Sequence, residues 1–272
     1  MKNAHLGALE VSGSHDRGKE GGTLIGRLLT SSAMWAEEIV AGRPAWVHEA
    51  SGVVFREVPA GTFLMGLSDA EAKVLRKIEK KGGVESTLEP LLDAARAWGP
   101  ARRVSVGSFL IARHPLTVAQ VRHFVPDYED GLIEDDNTAA RVDEDLVDDV
   151  LEALPFRLPT EAEWEFAARA GTATLTHRGN DKPGEDMLID EFGDEERTAA
   201  AENPFGVAGF GSAAEICAER WSPDETRVVR GGAADCHPWQ GCDEWTLLLP
   251  ASRAELSYFA GIRPATSVPP QT

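Results

Sequence analysis

The sequence predicts a domain of mixed helices and strands, and three observations carry that expectation. Short β-branched and aromatic runs separated by turn residues fill positions 46–65, threonine-capped helix starts stand at Thr117 and Thr160, and a glycine-rich, acidic stretch of little periodicity follows Gly171. Runs of the first kind favour strands, capped starts favour helices, and long aperiodic stretches inside a domain are functional or mobile loops.

In chain order, residues 1–44 are rich in glycine, serine and charge, and are expected to form an arm; their one apolar-patterned piece, 24–40, has the spacing of a short amphipathic helix. The domain proper is expected over 45–265. Trp46-Val47-His48 and Val53-Val54-Phe55 make two strands around an Ala50-Ser51-Gly52 turn, and Phe63-Leu64-Met65 makes a third. Residues 69–98 form a helical insertion, two helices broken at Gly82-Gly83, with Leu88, Leu91, Leu92 and Ala95 at helical spacing in the second. A strand over 104–112 leads to Thr117, which caps a helix that Gln120 closes three residues on, with Leu116 and Val121 as its hydrophobic staple. Leu146, Val147, Val150 and Leu151 mark a further amphipathic helix behind an acidic start. Thr160 and Glu163 repeat the capping box, with Gly171 near the helix's end, and Trp164, Ala167 and Ala168 on one face assign the tryptophan to the core. Val228-Val229-Arg230 is a short strand running into Gly231-Gly232, and 266–272 is a polar tail.

Composition narrows the function classes. With 27 lysines and arginines against 45 aspartates and glutamates, the formal charge is -18, which repels phosphate backbones and anionic bilayers, so neither nucleic acid nor membrane is an expected partner. No apolar run approaches the roughly 20 residues that span a bilayer, and no basic-then-apolar leader opens the chain, so the expected compartment is the cytoplasm. The three cysteines, Cys217, Cys236 and Cys242, are too few for a disulfide framework and are weighed as sites.

Four segments then occur in order: 58–66 (Val-Pro-Ala-Gly-Thr-Phe-Leu-Met-Gly), 116–120 (Leu-Thr-Val-Ala-Gln), 156–169 (Phe-Arg-Leu-Pro-Thr-Glu-Ala-Glu-Trp-Glu-Phe-Ala-Ala-Arg), and Arg230-Gly231-Gly232 with Gly261-Ile262-Arg263 further on. Together they resemble the formylglycine-generating enzyme, or sulfatase-modifying factor, family over residues 45 to 265. The resemblance implies a single irregular α+β domain of the C-type-lectin-like kind, with long loops on a small sheet. It also implies an active site in the loop after the arginine-glycine-glycine run, where two cysteines bind one copper(I) ion and oxidise a substrate cysteine to formylglycine. Cys236, four residues after Gly232 and followed by His237, stands at the family's first position, and Cys242 is its partner. Soft thiolates select copper(I). Glu215 matches a ligand of the family's calcium site.

This chain departs from the pattern around that loop. Its cysteines stand six positions apart where the family's stand five, Ala233 replaces the family serine, and Asp243-Glu244-Trp245-Thr246 replaces closely spaced arginines. Upstream, Asn203-Pro204-Phe205-Gly206 fits the family, but Gly211-Ser212-Ala213-Ala214-Glu215-Ile216 lacks its asparagine and tryptophans, and Gly209 stands where a calcium-binding side chain is expected. Glu215 alone falls short of the six to eight oxygens that calcium takes. None of the seven histidines forms the His-x3-His-x-Glu run of iron-dependent sulfoxide synthases that share the fold. The expected function is a diverged, non-catalytic domain that binds a protein or peptide partner. The alternative is a copper-dependent oxidase acting on a peptide cysteine. Cys217 is expected to be a small buried hydrophobe, and the helical insertion and the acidic region 127–149 are the expected partner surfaces.

Overall fold

The computed structural model describes residues 34–82, 88–129, 135–181, 189, 191–211, 213–221, 226–232, 249–256 and 259–268. The first sheet is antiparallel and contains β1 (Trp35–Val40), β2 (Arg43–His48), β3 (Val53–Val58), β6 (Phe109–Ala112) and β12 (Ala265–Thr266), in the order β1-β2-β3-β6-β12. Over 35–40 the structure corrects the expected arm and its helix. Residues 24–33 lie outside the described residues, but 35–40 pair in full register with β2, from Trp35 opposite His48 to Val40 opposite Arg43. Ala41 and Gly42, at φ 50° and 75°, make the tight turn between them, the backbone that a two-residue hairpin needs. Trp35 packs edge-on against Phe55 at 5.2 Å between ring centres. Over 35–40 pairing and aromatic burial override the weak helical period, and the described part of the domain includes Met34 onward, ahead of the boundary expected at 45.

The second correction concerns the strand expected over 104–112. It breaks at Gly107-Ser108 into β5 (Arg102–Val106), which forms a two-stranded ribbon with β4 (Gly61–Met65), and β6, which joins the first sheet. Between β4 and β5 lie the two expected helices, α1 (Asp69–Gly82) and α2 (Leu88–Ala97). Leu75 of α1 and Leu88 and Leu92 of α2 are buried in the main core with Phe55, Leu110 and Val121.

The helix starts legible in the sequence form as expected. Thr117 and Gln120 make a reciprocal capping box on α3 (Val118–Phe124). Asp143 caps α4 (Glu144–Ala153), which buries Val147 and Val150 and leaves Leu146 41% exposed. Thr160 and Glu163 cap α5 (Glu161–Arg169), which ends at Ala170 in the left-handed conformation. In the stretch expected to be irregular, Asp194 caps a short helix, α6 (Glu195–Ala200).

The second sheet has the order β10-β9-β8-β11-β7, with β7 (Arg141–Val142), β8 (Glu215–Arg220), β9 (Arg227–Arg230), β10 (Arg253–Glu255) and β11 (Ala260–Gly261). Its β8–β11 contact is parallel and the others antiparallel. Thr266, expected to open the polar tail, belongs to β12. Among the described residues no helix is long and apolar enough to cross a membrane.

Candidate functional site: the stem of the cysteine loop

Helix α5 carries its functional side chains inward. Over the nine residues 161–169 only Ala162 and Glu163 are more than marginally exposed, because the helix is wedged between the ribbon and the second sheet. Trp164 is 1% exposed, as expected of a core residue. Its indole Nε1 donates to Glu215 Oε2 at 2.6 Å, and its ring meets Phe210 edge-on at 5.1 Å.

Glu215, the residue expected at a calcium site, is fully buried on β8. Arg263 binds it in bidentate fashion, Nε to Oε2 and Nη2 to Oε1, each at 2.7 Å. Arg263 Nη1 donates to the carbonyls of Ala112 and Arg113, and its guanidinium lies over Phe210 at 4.2 Å. Both carboxylate oxygens are thus committed to a buried arginine and an indole, and position 209 is a glycine without a side chain to offer. This donor set does not fit calcium, which takes six to eight oxygens. Glu215 holds the second sheet to α5 and to the segment before β12. Among the described residues, no group of three or more histidines, cysteines, aspartates or glutamates is arranged to hold a metal.

Cys217, two residues along β8, is fully buried and free, packed with Trp164 and Ala168. Burial pushes its thiol well above the usual value, which suits a small hydrophobe and not a nucleophile. Cys236 and Cys242 lie outside the described residues, as do Ala233 and 243–248.

What the structure describes is how the residues on either side of the segment bearing them are held together. Its two ends, Arg230 to Gly232 and Leu249 to Ser252, are tied by Arg230 Nη2 to the Pro250 carbonyl and by the Gly231 amide to Ser252 Oγ, each at 2.7 Å. Strands β9 and β10 pair below, with Arg230 opposite Arg253. The glycine pair is required by space as well as by conformation. Gly231, at φ 63°, sits where a Cβ would meet the Trp164 ring at 2.9 Å, and a Cβ on Gly232 would lie 1.8 Å from the Ala213 carbonyl carbon.

Beneath the stem runs an alternating chain of six buried or half-buried charges, Glu71–Arg169–Glu165–Arg230–Glu161–Arg253. Glu71 of α1 accepts from Arg169 at 2.7 Å, Arg169 binds Glu165 at 2.8 Å, and Arg230 binds both Glu165 and Glu161. Arg253 closes on Glu161 through Nε and Nη2, at 2.6 and 3.0 Å. Burial pushes the Glu161 carboxyl up, but the Arg253 and Arg230 guanidiniums outweigh it and hold it below the usual range. Burial likewise opposes the Arg230 cation, and Glu165 and Glu161 outweigh it and raise its pKa. Nearby, burial pushes up the Glu219 carboxyl, which accepts the Glu161 amide at 2.8 Å. Sequence reasoning placed Arg230, Glu161, Glu165 and Arg169 inside family segments without assigning their partners. The i,i+4 spacing of Glu165 and Arg169 was the one local signal, and Arg253 carried none.

Asn203, at the head of the 203–206 segment, locks its own turn by accepting from the Phe205 and Val207 amides at 2.9 and 3.2 Å, and ties that turn to α5 through the Ala167 carbonyl at 2.8 Å.

Comparison with known proteins bears on the family and the fold. The model of the sulfatase-modifying factor enzyme 1-like domain matches residues 46–240, most of the chain. The chain belongs to the sulfatase-modifying factor enzyme 1-like family. Two solved structures share the fold. PvdO from Pseudomonas aeruginosa is 19% identical, with a TM-score of 0.53 over 80% of this chain and 95% of its own. Treponema denticola variable protein 1 is 15% identical, with a TM-score of 0.54 over 86% of this chain and 99% of its own. No curated protein matches the sequence. Membership accounts for the single α+β sulfatase-modifying-factor-like domain, and at these identities the two structures speak to the fold alone.

Proposed function

We propose that this member of the sulfatase-modifying factor family is a non-catalytic module that presents its cysteine-bearing loop and neighbouring surface to a protein or peptide partner. The observation that carries this reading is the commitment of Glu215. The acidic side chain at the family's calcium position is spent on Arg263 and Trp164 inside the scaffold. The loop's sequence points the same way, since Ala233 and the acidic 243–244 pair stand where catalytic relatives carry a serine and arginines. A scaffold whose buried charges are paired across elements, with its stem tied, suits a rigid display surface, because binding loops work best on rigid supports.

The second reading is a copper-dependent oxidase, favoured by Cys236 and Cys242 falling in one stretch of sequence whose flanking residues are tied together. In that case the two thiolates would hold copper(I), and the bound metal would supply the means of activating oxygen against a peptide cysteine. One experiment separates the two. Reduced protein is titrated with copper(I) against a competing chelator, then given a cysteine peptide and oxygen. The binding-module reading expects copper affinity no greater than that of a Cys236→Ala, Cys242→Ala double variant, and no aldehyde. Tight one-to-one binding lost in Cys236→Ala, with formation of a peptide aldehyde, refutes it.

A further inference from the structure

Residues 191–201, which include α6, form a strap whose side chains are mostly exposed. Two of them dock on the consecutive residues that follow β6. Arg113 donates from Nη1 and Nη2 to Glu195 Oε2 and Oε1, at 2.8 and 2.7 Å. His114 lies flat against Phe192, with 4.3 Å between ring centres and 8° between ring planes. Gly209, at φ 75°, leaves room for that phenyl ring, since a Cβ there would stand 2.9 Å from it. The Phe192 amide donates to the Asn137 carbonyl at 3.0 Å, and Arg178 Nη2 donates to the Ala200 carbonyl at 3.0 Å, with His177 next in the chain. Phe192 and Ala201 pack with Ile189 and Ala208 in a small apolar cluster that is separate from the two large ones.

Two features make this docking separable from the rest of the fold. The first is that Arg113 has a second acidic partner. Glu195 is 61% exposed, whereas Glu202, 4% exposed, accepts from Arg113 Nε at 2.7 Å. Withdrawal of Glu195 therefore leaves the buried guanidinium paired, and the penalty of an uncompensated buried cation is not incurred. Glu202 is also held by the buried Arg56, which fixes the chain just beyond the strap. The second is that both docking contacts weaken in acid. Burial first, then Arg263 and Arg113, outweigh the Pro115 carbonyl and Glu195 and press His114 down to about 4. The phenyl face favours an imidazolium only weakly. Once freed, the ring titrates near 6.5, so its support for docking is complete above pH 6.5 and is lost as pH falls to about 4. The Arg113 guanidinium, aided by Arg56 and His114, outweighs burial and holds the Glu195 carboxyl below the usual range. That share is present above the ordinary carboxylate range and is lost only as pH falls through it.

We infer that residues 191–201 are a strap that leaves Arg113 and His114 in mild acid while both sheets stay folded. Local openings of this kind lie below the free energy of global unfolding. The inference goes beyond the proposed function and stands or falls separately, because the cysteine-bearing segment takes no part in it.

The test is hydrogen exchange of the full chain, read by mass spectrometry at pH 7 and pH 5, with every rate corrected for the intrinsic pH dependence of amide exchange. Because His114 titrates near 6.5 when free and at about 4 when docked, opening of 191–201 should rise about twentyfold from pH 7 to pH 5. Amides of β3 and β6 should stay protected. His114→Phe, which can stack on Phe192 but cannot titrate, should keep the strap closed at pH 7 and hold the rise below about fivefold. Glu195→Gln should raise opening at pH 7 about tenfold, with β3 and β6 unchanged. Circular dichroism checks that both variants are folded. The inference is overturned if the wild-type rise is below about fivefold, if the strap loses protection only together with β3 and β6, if folded His114→Phe rises more than about fivefold, or if folded Glu195→Gln opens no more than wild type.

Discussion

At the scale of single residues, Glu215 decides most. Its carboxylate is the sole acidic partner of the fully buried Arg263 among the described contacts. Glu215→Gln therefore leaves a buried cation uncompensated, and should cost about 3–5 kcal/mol in urea unfolding. Because those oxygens are already committed, millimolar calcium or a chelator should leave the wild-type melting temperature unchanged. A calcium-dependent rise that Glu215→Gln abolishes would restore the metal-site reading. Gly232 is as intolerant for a steric reason. A methyl group there must displace the Ala213–Ala214 backbone, at distances of 1.8 to 2.3 Å, so Gly232→Ala should destabilise by about 3 kcal/mol or more. A variant within 1 kcal/mol of wild type would show that the stem is looser than described.

Elements were legible in proportion to how local their causes are. The starts of α3 and α5 were readable because a capping box is a four-residue event, and Thr160 with Glu163 forms both of its bonds, at 2.8 and 3.1 Å. Thr160→Ala should lower stability by about 1 kcal/mol, visible as a shifted urea midpoint with an unchanged slope; a changed slope would mean that the helix frays partially and not as part of the whole. β1 was misread because its strand character comes from pairing with β2 and from Trp35 meeting Phe55, neither of which is written in the local period. The break at Gly107-Ser108 is small in sequence and large in outcome, since it sends two halves of one apolar run into different sheets. α6 was missed because six residues in an acidic, glycine-rich setting carry almost no periodic signal. The charge chain under the stem was invisible for the opposite reason, since Arg230 and Arg253 reach Glu161 across 69 and 92 residues. The motif flagged its members but not their partners.

Across the whole molecule, the pH response follows from histidines kept neutral. Burial presses His114 and His177 down to about 4. His114 is stacked on Phe192 at 4.3 Å and faces Arg263, Arg113 and Glu195, and His177 has Arg178 beside it. In the unfolded chain both titrate near 6.5, so between pH 6.5 and 4 the unfolded state binds more protons. Their contribution is present in full above pH 6.5 and is lost as pH falls to about 4. The melting temperature should fall steadily across that window, and less steeply in His177→Gln. A flat profile from pH 7 to 4.5 would contradict it. The clamped stem has a different consequence for the molecule's history. Both feet of the 233–248 segment are held to each other by hydrogen bonds between residues outside it. Closing a longer loop is cheap, about 0.6 kcal/mol for each doubling of length. On that arithmetic a longer segment between the same feet is expected to leave the stability of the described domain nearly unchanged, so that length there is a cheap variable for the chain.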